Sequence, residues 1–135
     1  MHLRRKPMKK AVLLENAARP VGPYSHAVVS NGFVFISGQG PANPQTQSVA
    51  GDFREQTRQV FENMKTILEG VGVQMGDVVK VNAYLTDLAN FKDFNEIYRE
   101  YFSADFPVRT TIGASALPGN NTMVEMDCIA ALPEK

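Results

Sequence analysis

Two residues near the end of the chain carry its strongest chemical suggestion. Arg109 stands in Phe106-Pro107-Val108-Arg109-Thr110-Thr111, and Glu125 in Val124-Glu125-Met126. A guanidinium stays charged at any working pH and grips a carboxylate through two parallel N–H donors. A carboxylate can orient or deprotonate a water. One fixed cation and one carboxylate are therefore what a small anionic substrate and an activated water need. Both segments read as β-strands, with a turn at Leu117-Pro118-Gly119-Asn120-Asn121 between them. Alternation sends Arg109, Thr111 and Gly113 to one face, and Val108, Thr110, Ile112 and Ala114 to the other. On the last strand Met123, Glu125, Asp127 and Ile129 share a face. The row Val124, Met126, Cys128 and Ala130 forms the core side. The expectation is that Arg109 and Glu125 meet on the sheet face that the core leaves free. The plain alternative is an interface ion pair.

The remaining elements must hold that face. Lys10–Leu14 is a first strand. Residues 26–38 read as a hairpin, because Ala27-Val28-Val29-Ser30 and Phe33-Val34-Phe35-Ile36-Ser37 flank Asn31-Gly32, a pair that supplies the positive φ of a tight turn. A loop rich in Gly, Pro, Gln and Asn follows from Gln39 to about Ser48. Phe53, Val60, Phe61, Met64, Ile67 and Leu68 recur at helical spacing over about Asp52 to Glu69, with Gly70 and Gly72 at the end. Val78–Thr86 is a strand. A second helix runs from about Leu88 to Phe102, its apolar side carrying Phe91, Phe94, Ile97, Tyr98, Tyr101 and Phe102. The order β-ββ-α-β-α-ββ predicts an α/β sandwich, a mixed six-stranded sheet with both helices on one face. Phe33–Ile36, Val78-Val79 and Tyr84-Leu85 are apolar on both sides, which calls for burial of both sheet faces. Two helices cover only one. Another copy of the chain is the simplest cover for the second, so a homo-oligomer is expected.

Size and composition bound the rest. The 135 residues, 44% hydrophobic and 21% charged, suit one soluble domain, taken as residues 10–135. No apolar run approaches the ~20 residues that span a bilayer. Residues 1–9 form a basic N-terminal extension, expected to be flexible, and the apolar run after it is shorter than a secretory signal requires. Five of the fourteen Lys and Arg lie in the first ten residues with no acid among them, leaving nine basic against fourteen acidic groups beyond. A mildly acidic body argues against nucleic-acid binding. The single Cys128 excludes an intrachain disulfide and fits a reducing, cytoplasmic setting. His26, His2 and Cys128 make no convincing metal site, since Cys128 faces the core.

Gly22-Pro23-Tyr24-Ser25-His26-Ala27, Ser37-Gly38-Gln39, Glu55-Gln56-Thr57-Arg58-Gln59, Pro107-Val108-Arg109-Thr110-Thr111 and Leu117-Pro118 before Val124-Glu125-Met126 together resemble the reactive intermediate deaminase family, also called RidA, YjgF or L-PSP. The resemblance runs from about Lys10 to Ala131. It implies a chorismate-mutase-like fold assembled as a homotrimer with sites between subunits. It also implies hydrolysis of 2-enamino and 2-imino acids, of the 2-aminoacrylate type, to 2-oxo acids and ammonia, with no metal or organic cofactor. By matching position Arg109 becomes the carboxylate anchor and Glu125 the residue associated with the water. Tyr24, Ser37, Gly38, Asn95 and Thr111 line the pocket. Thr111 stands where members often have Cys, and His26 where Gln is frequent; these departures bear on specificity. The family has also been described as endoribonuclease or translation inhibitor, and a non-catalytic small-ligand-binding trimer is a further alternative.

Overall fold

The computed structural model describes residues 8–49 and 51–134. The basic extension expected over residues 1–9 lies, except for Met8 and Lys9, outside the described residues. Six strands form one sheet, β1 (Lys10–Val12), β2 (Ala27–Ser30), β3 (Phe33–Gln39), β4 (Val78–Leu85), β5 (Val108–Gly113) and β6 (Val124–Ala131), in the spatial order β1-β2-β3-β6-β4-β5. Every neighbouring pair is antiparallel except β4 and β5, which run parallel. The mixed sheet with two helices is thus the predicted one. The first strand ends two residues earlier than its pattern suggested.

The β2–β3 turn forms as its residues dictate. Asn31 (φ 51°) and Gly32 (φ 81°) both take left-handed backbone, matching the right-handed twist of the flanking strands. Helix α1 (Phe53–Gly70) begins at Asp52, whose carboxylate accepts from the Glu55 N–H at 2.9 Å, and its end is followed by Gly72 at φ 89°. Helix α2 (Phe91–Tyr101) starts three residues later than expected, because Leu88–Asn90 form a 3-10 turn capped by Asp87.

Both helices pack on one sheet face. From α1 come Phe53, Val60, Phe61, Met64, Ile67 and Leu68, and from α2 Phe94, Ile97 and Tyr98. The sheet answers with Val34, Ile36, Val81, Ala83, Leu85, Val124, Met126, Cys128 and Ala130. Burying each large apolar side chain stabilises the fold by ~1.5–3 kcal/mol. Phe61 is the hub: it stacks on Tyr101 at 4.4 Å and meets the edges of Tyr98 and Phe102 at 5.8 and 6.0 Å.

The opposite face is open and apolar. Phe33 and Phe35 are each 43% exposed, Val108 66% and Ile112 47%. Register then corrects the face assignment of β5. Val81 and Ala83, both in the core, pair with Arg109 and Thr111, whereas Tyr84 pairs with Glu125 on one side and Ile112 on the other. Arg109 and Thr111 therefore face the helices. Glu125 shares the open face with Tyr84, Ile112 and Asp127. The row Val108, Thr110, Ile112 belongs to the open face and not to the core.

Candidate functional site

Glu125 is positioned by an irregularity in the neighbouring strand. Between β3 and β6 the register runs regularly to Ile36↔Cys128 and then jumps to Gln39↔Met126. The β-bulge takes Ser37 and Gly38 out of the ladder beside Glu125. Gly38 lets the carboxylate lie against the backbone, since a Cβ there would collide with Glu125 Oε1. Ser37 is held by its hydroxyl donating to the Ser25 carbonyl at 2.5 Å. Glu125 is half-buried, and burial, with the nearby Asp127 charge second, raises its pKa above the usual carboxylate value. A carboxyl so tuned holds a proton more readily than an ordinary surface carboxylate.

Glu125, Ser37, Gly38 and Tyr24 come together in a cleft of about 880 Å³, walled by residues 18–21, 38–42, 47–49 and 118–122. Tyr24 anchors its wall locally, its hydroxyl accepting from the Val21 N–H at 3.1 Å. Three buried polar side chains brace the walls, and sequence patterning did not single out their roles. Gln56 of α1 donates to the Asn121 carbonyl at 2.8 Å and accepts from the Met123 N–H at 2.9 Å, tying down the 118–122 segment. Asn63, two turns along α1, donates to the Gly40 and Ala42 carbonyls at 3.0 and 2.8 Å. His26 Nδ1 accepts from the Leu14 N–H at 2.9 Å, so the ring is neutral and Nε2–H donates to the Ala18 carbonyl at 2.8 Å. A polar residue on the apolar stripe of a helix was the available signal, and Gln56 and Asn63 both show it.

Arg109, Thr111 and Asn95 do not join this cleft within one chain. The Arg109 guanidinium lies on the rings of Tyr98, Phe94 and Phe91, at 4.7, 5.3 and 5.6 Å. Cation–π contacts are worth ~0.5–2 kcal/mol, rising with the desolvation of the cation, and Arg109 is half-buried. Burial pulls its pKa below the usual arginine value, against the opposing influence of Tyr98, and the group stays charged. The ion pairs among the described residues join Arg54 to Asp93 and Glu96, and Arg58 to Glu100. None involves Arg109. Aromatic rings fix the cation without neutralising it, which leaves its N–H fork for an anion from elsewhere. Beside it on β5, the Thr111 hydroxyl is buried without a partner, as is that of Tyr98. Asn95, one turn after Phe91 on α2 and half-buried, shares the stripe of Phe91, Phe94 and Tyr98. The predicted site residues thus form two half-sites on opposite faces of the sheet.

Six strands, with β6 set between the two strands of a strand-helix-strand crossover, define the architecture. The family profile described as Endoribonuclease L-PSP matches residues 14–132. A RutC family protein from Pyrococcus horikoshii is 45% identical over 124 residues, covering 91% of this chain and 98% of that protein. The 2-iminobutanoate/2-iminopropanoate deaminase of Dermatophagoides farinae is 38% identical over 125 residues, 92% of this chain and 97% of that one. The crystal structure of RidA from an Antarctic Psychrobacter superposes with a TM-score of 0.87 at 37% identity, covering 91% of this chain and 99% of the other. The chain belongs to the RidA/L-PSP family. No helix among the described residues is long and apolar enough to cross a membrane.

Proposed function

We propose that this chain is an imine deaminase that hydrolyses 2-enamino and 2-imino acids of the 2-aminoacrylate type to 2-oxo acids and ammonia, without a metal or organic cofactor. The observation that carries the reading is the separation of an unneutralised Arg109 from a half-buried Glu125. Neither half-site suffices alone, and an apolar sheet face is available to bring a second copy alongside. In a homotrimer each site would take Arg109, Thr111 and Asn95 from one subunit and Tyr24, Ser37, Gly38 and Glu125 from its neighbour.

Arg109 holds the substrate carboxylate bidentately, and the Thr111 hydroxyl supplies a further donor. An enamine first moves a proton from nitrogen to C3 and becomes the imine. A water beside Glu125 then attacks the C=N carbon while Glu125 accepts its proton. Glu125 returns that proton to the nitrogen, the carbinolamine hydroxyl then gives up its own proton to the nitrogen through the same carboxylate as the C=O forms and the C–N bond breaks, and ammonia and the 2-oxo acid leave. Fixing both reactants by separate subunits converts the attack into an effectively intramolecular step.

Subunit mixing tests this directly. Arg109→Ala and Glu125→Gln should each lose at least ~10²-fold in kcat/KM, the scale of one preorganised charge contact. Random co-assembly of equal amounts of the two variants should restore about a quarter of the wild-type activity, since one site in four then holds both intact groups. Refolded mixtures no more active than either variant alone would defeat the shared site.

A second reading, an endoribonuclease, follows the description of the matched family profile, Endoribonuclease L-PSP. Specific RNA cleavage that survives Arg109→Ala in stringently purified protein supports it. Binding of 2-oxo acids without turnover in wild-type protein instead supports a ligand-binding trimer.

A further inference from the structure

On the open sheet face four side chains make a square, with Glu125 its corner at the cleft. Glu125 and Asp127 occupy one edge on β6, and Tyr84 and Asn82 the other on β4. Tyr84 pairs directly with Glu125 and Asn82 directly with Asp127. The hydrogen bonds do not follow that symmetry. Asn82 Nδ2 donates straight across to Asp127 Oδ1 at 2.9 Å, and the Tyr84 hydroxyl donates diagonally to Asp127 Oδ2, also at 2.9 Å. Both Asp127 oxygens are thereby satisfied. Among the described residues Glu125, directly opposite a tyrosine, receives no donor from it.

We propose that Asp127, clamped by Asn82 and Tyr84, is a positioning residue for Glu125: it draws the available donor away and sets a fixed negative charge behind the reacting carboxylate. The two donors, one on each oxygen, hold the Asp127 carboxylate in one place beside Glu125. Glu125 beside it is half-buried, receives no such donor among the described residues, and lies against Gly38 at the cleft. Two cations bear on its charge: Lys80, on the open face of β4 opposite Ile129, stands one pair beyond Asn82, and the Arg109 that a neighbour brings in the proposed shared site is engaged by the substrate carboxylate. Strand β3 offers Ser37, Gly38 and Gln39, none titratable. His26 spends both ring nitrogens on backbone groups, and Tyr24 lies across the cleft with its hydroxyl engaged by Val21. The one cation among the cleft residues, Arg19, lies on an exposed wall segment. Burial and the Asp127 charge accordingly both push the Glu125 pKa upward, in that order of size. This inference rests on the imine-deaminase reading, in which the ionised Glu125 accepts a proton from water.

The test is the acidic limb of the pH profile of kcat/KM for 2-iminobutanoate. Charges two residues apart along a strand lie about 7 Å from one another, so removing one should move the limb by roughly half to one pH unit at low salt. Asp127→Asn should move it to lower pH, and Asp127→Glu should bring it back. An Asp127→Asn limb that coincides with wild type, in protein with an unchanged melting transition, overturns the inference. So does a limb that Asp127→Glu fails to restore. Should Asp127→Asn not fold, a carboxyl ¹³C titration of the wild-type protein decides instead: the Glu125 curve must lie above the usual carboxylate range and show coupling to a neighbouring charge, and a simple one-site curve refutes the clamp. Full activity in Glu125→Gln would sink the deaminase reading itself, a result separable from either outcome here.

Discussion

Replacing Gly38 with Ala separates chemistry from stability at a single methyl group. The new Cβ would overlap Glu125 Oε1 and sit 3.3 Å from its Cδ and 3.7 Å from its Cγ. The colliding atoms are the far end of a flexible side chain, so the carboxylate can swing aside without moving the backbone. Gly38 is not among the glycines with positive φ, so alanine fits the local conformation. Restricting the unfolded chain even contributes ~0.4–1 kcal/mol in favour of folding. The unfolding free energy should therefore stay within about 1 kcal/mol of wild type. Activity should not. A displacement of about 1 Å at a reacting group costs on the order of 10²-fold in rate, or roughly 2.7 kcal/mol of transition-state stabilisation. The assay generates 2-iminobutanoate in situ from threonine with a pyridoxal-phosphate dehydratase and follows 2-oxo acid release, with a denaturant melt in parallel. Because Gly38 acts only through Glu125, the double variant Gly38→Ala/Glu125→Gln should be no slower than Glu125→Gln alone. Wild-type turnover in Gly38→Ala refutes the assigned role of the Gly38–Glu125 contact.

Glu125 should also cost the fold stability. Its pKa is raised in the folded chain, so the folded state holds the proton more tightly than the unfolded state does, and stability rises as pH falls through the folded value. Glu125→Gln should accordingly be more stable than wild type at neutral pH, with the gap closing in mild acid; equal denaturation midpoints at both pH values would show that the carboxylate is not strained. On the open sheet face, Ile112→Asp should place a charge in the subunit contact and dissociate the assembly, at a cost of several kcal/mol per buried unpaired charge. Sedimentation of the variant at the wild-type rate would remove that face from the interface.

Local patterning carried most of the fold. Asn31-Gly32 fixes the hairpin, the apolar spacing from Phe53 to Leu68 fixes α1, and Asp52 fixes where it starts. These features are decided within a few residues. The β3 bulge was not legible, because Ser37-Gly38 looks like an ordinary strand end and the extra residue shows only against the register of β6. The brace roles of Gln56 and Asn63 were likewise hidden. Each reaches a segment more than twenty residues away, and nothing in the helix itself says which carbonyl its amide will meet. Four of the seven expected site residues, Tyr24, Ser37, Gly38 and Glu125, come together; the other three gather on the far side of the sheet.

That division follows from strand pairing and not from residue type. On β5 the charged Arg109 looks outward by the rule that charges seek water, and Val108 and Ile112 look inward. The structure reverses both. The parallel register with β4 is set by β4's own core residues, Val81 and Ala83, and it forces Arg109 beneath the helices. There the aromatic stripe of α2 receives it, replacing water with ring faces that attract a cation without cancelling its charge. The same register turns Val108 and Ile112 outward, where exposed apolar area is unfavourable unless another surface covers it. One choice of register thus separates Arg109 from Glu125 and leaves exposed the apolar surface that the proposed assembly would cover. In a chain that worked alone, the two features would be separate defects; in an oligomer with shared sites they are the same requirement, met once.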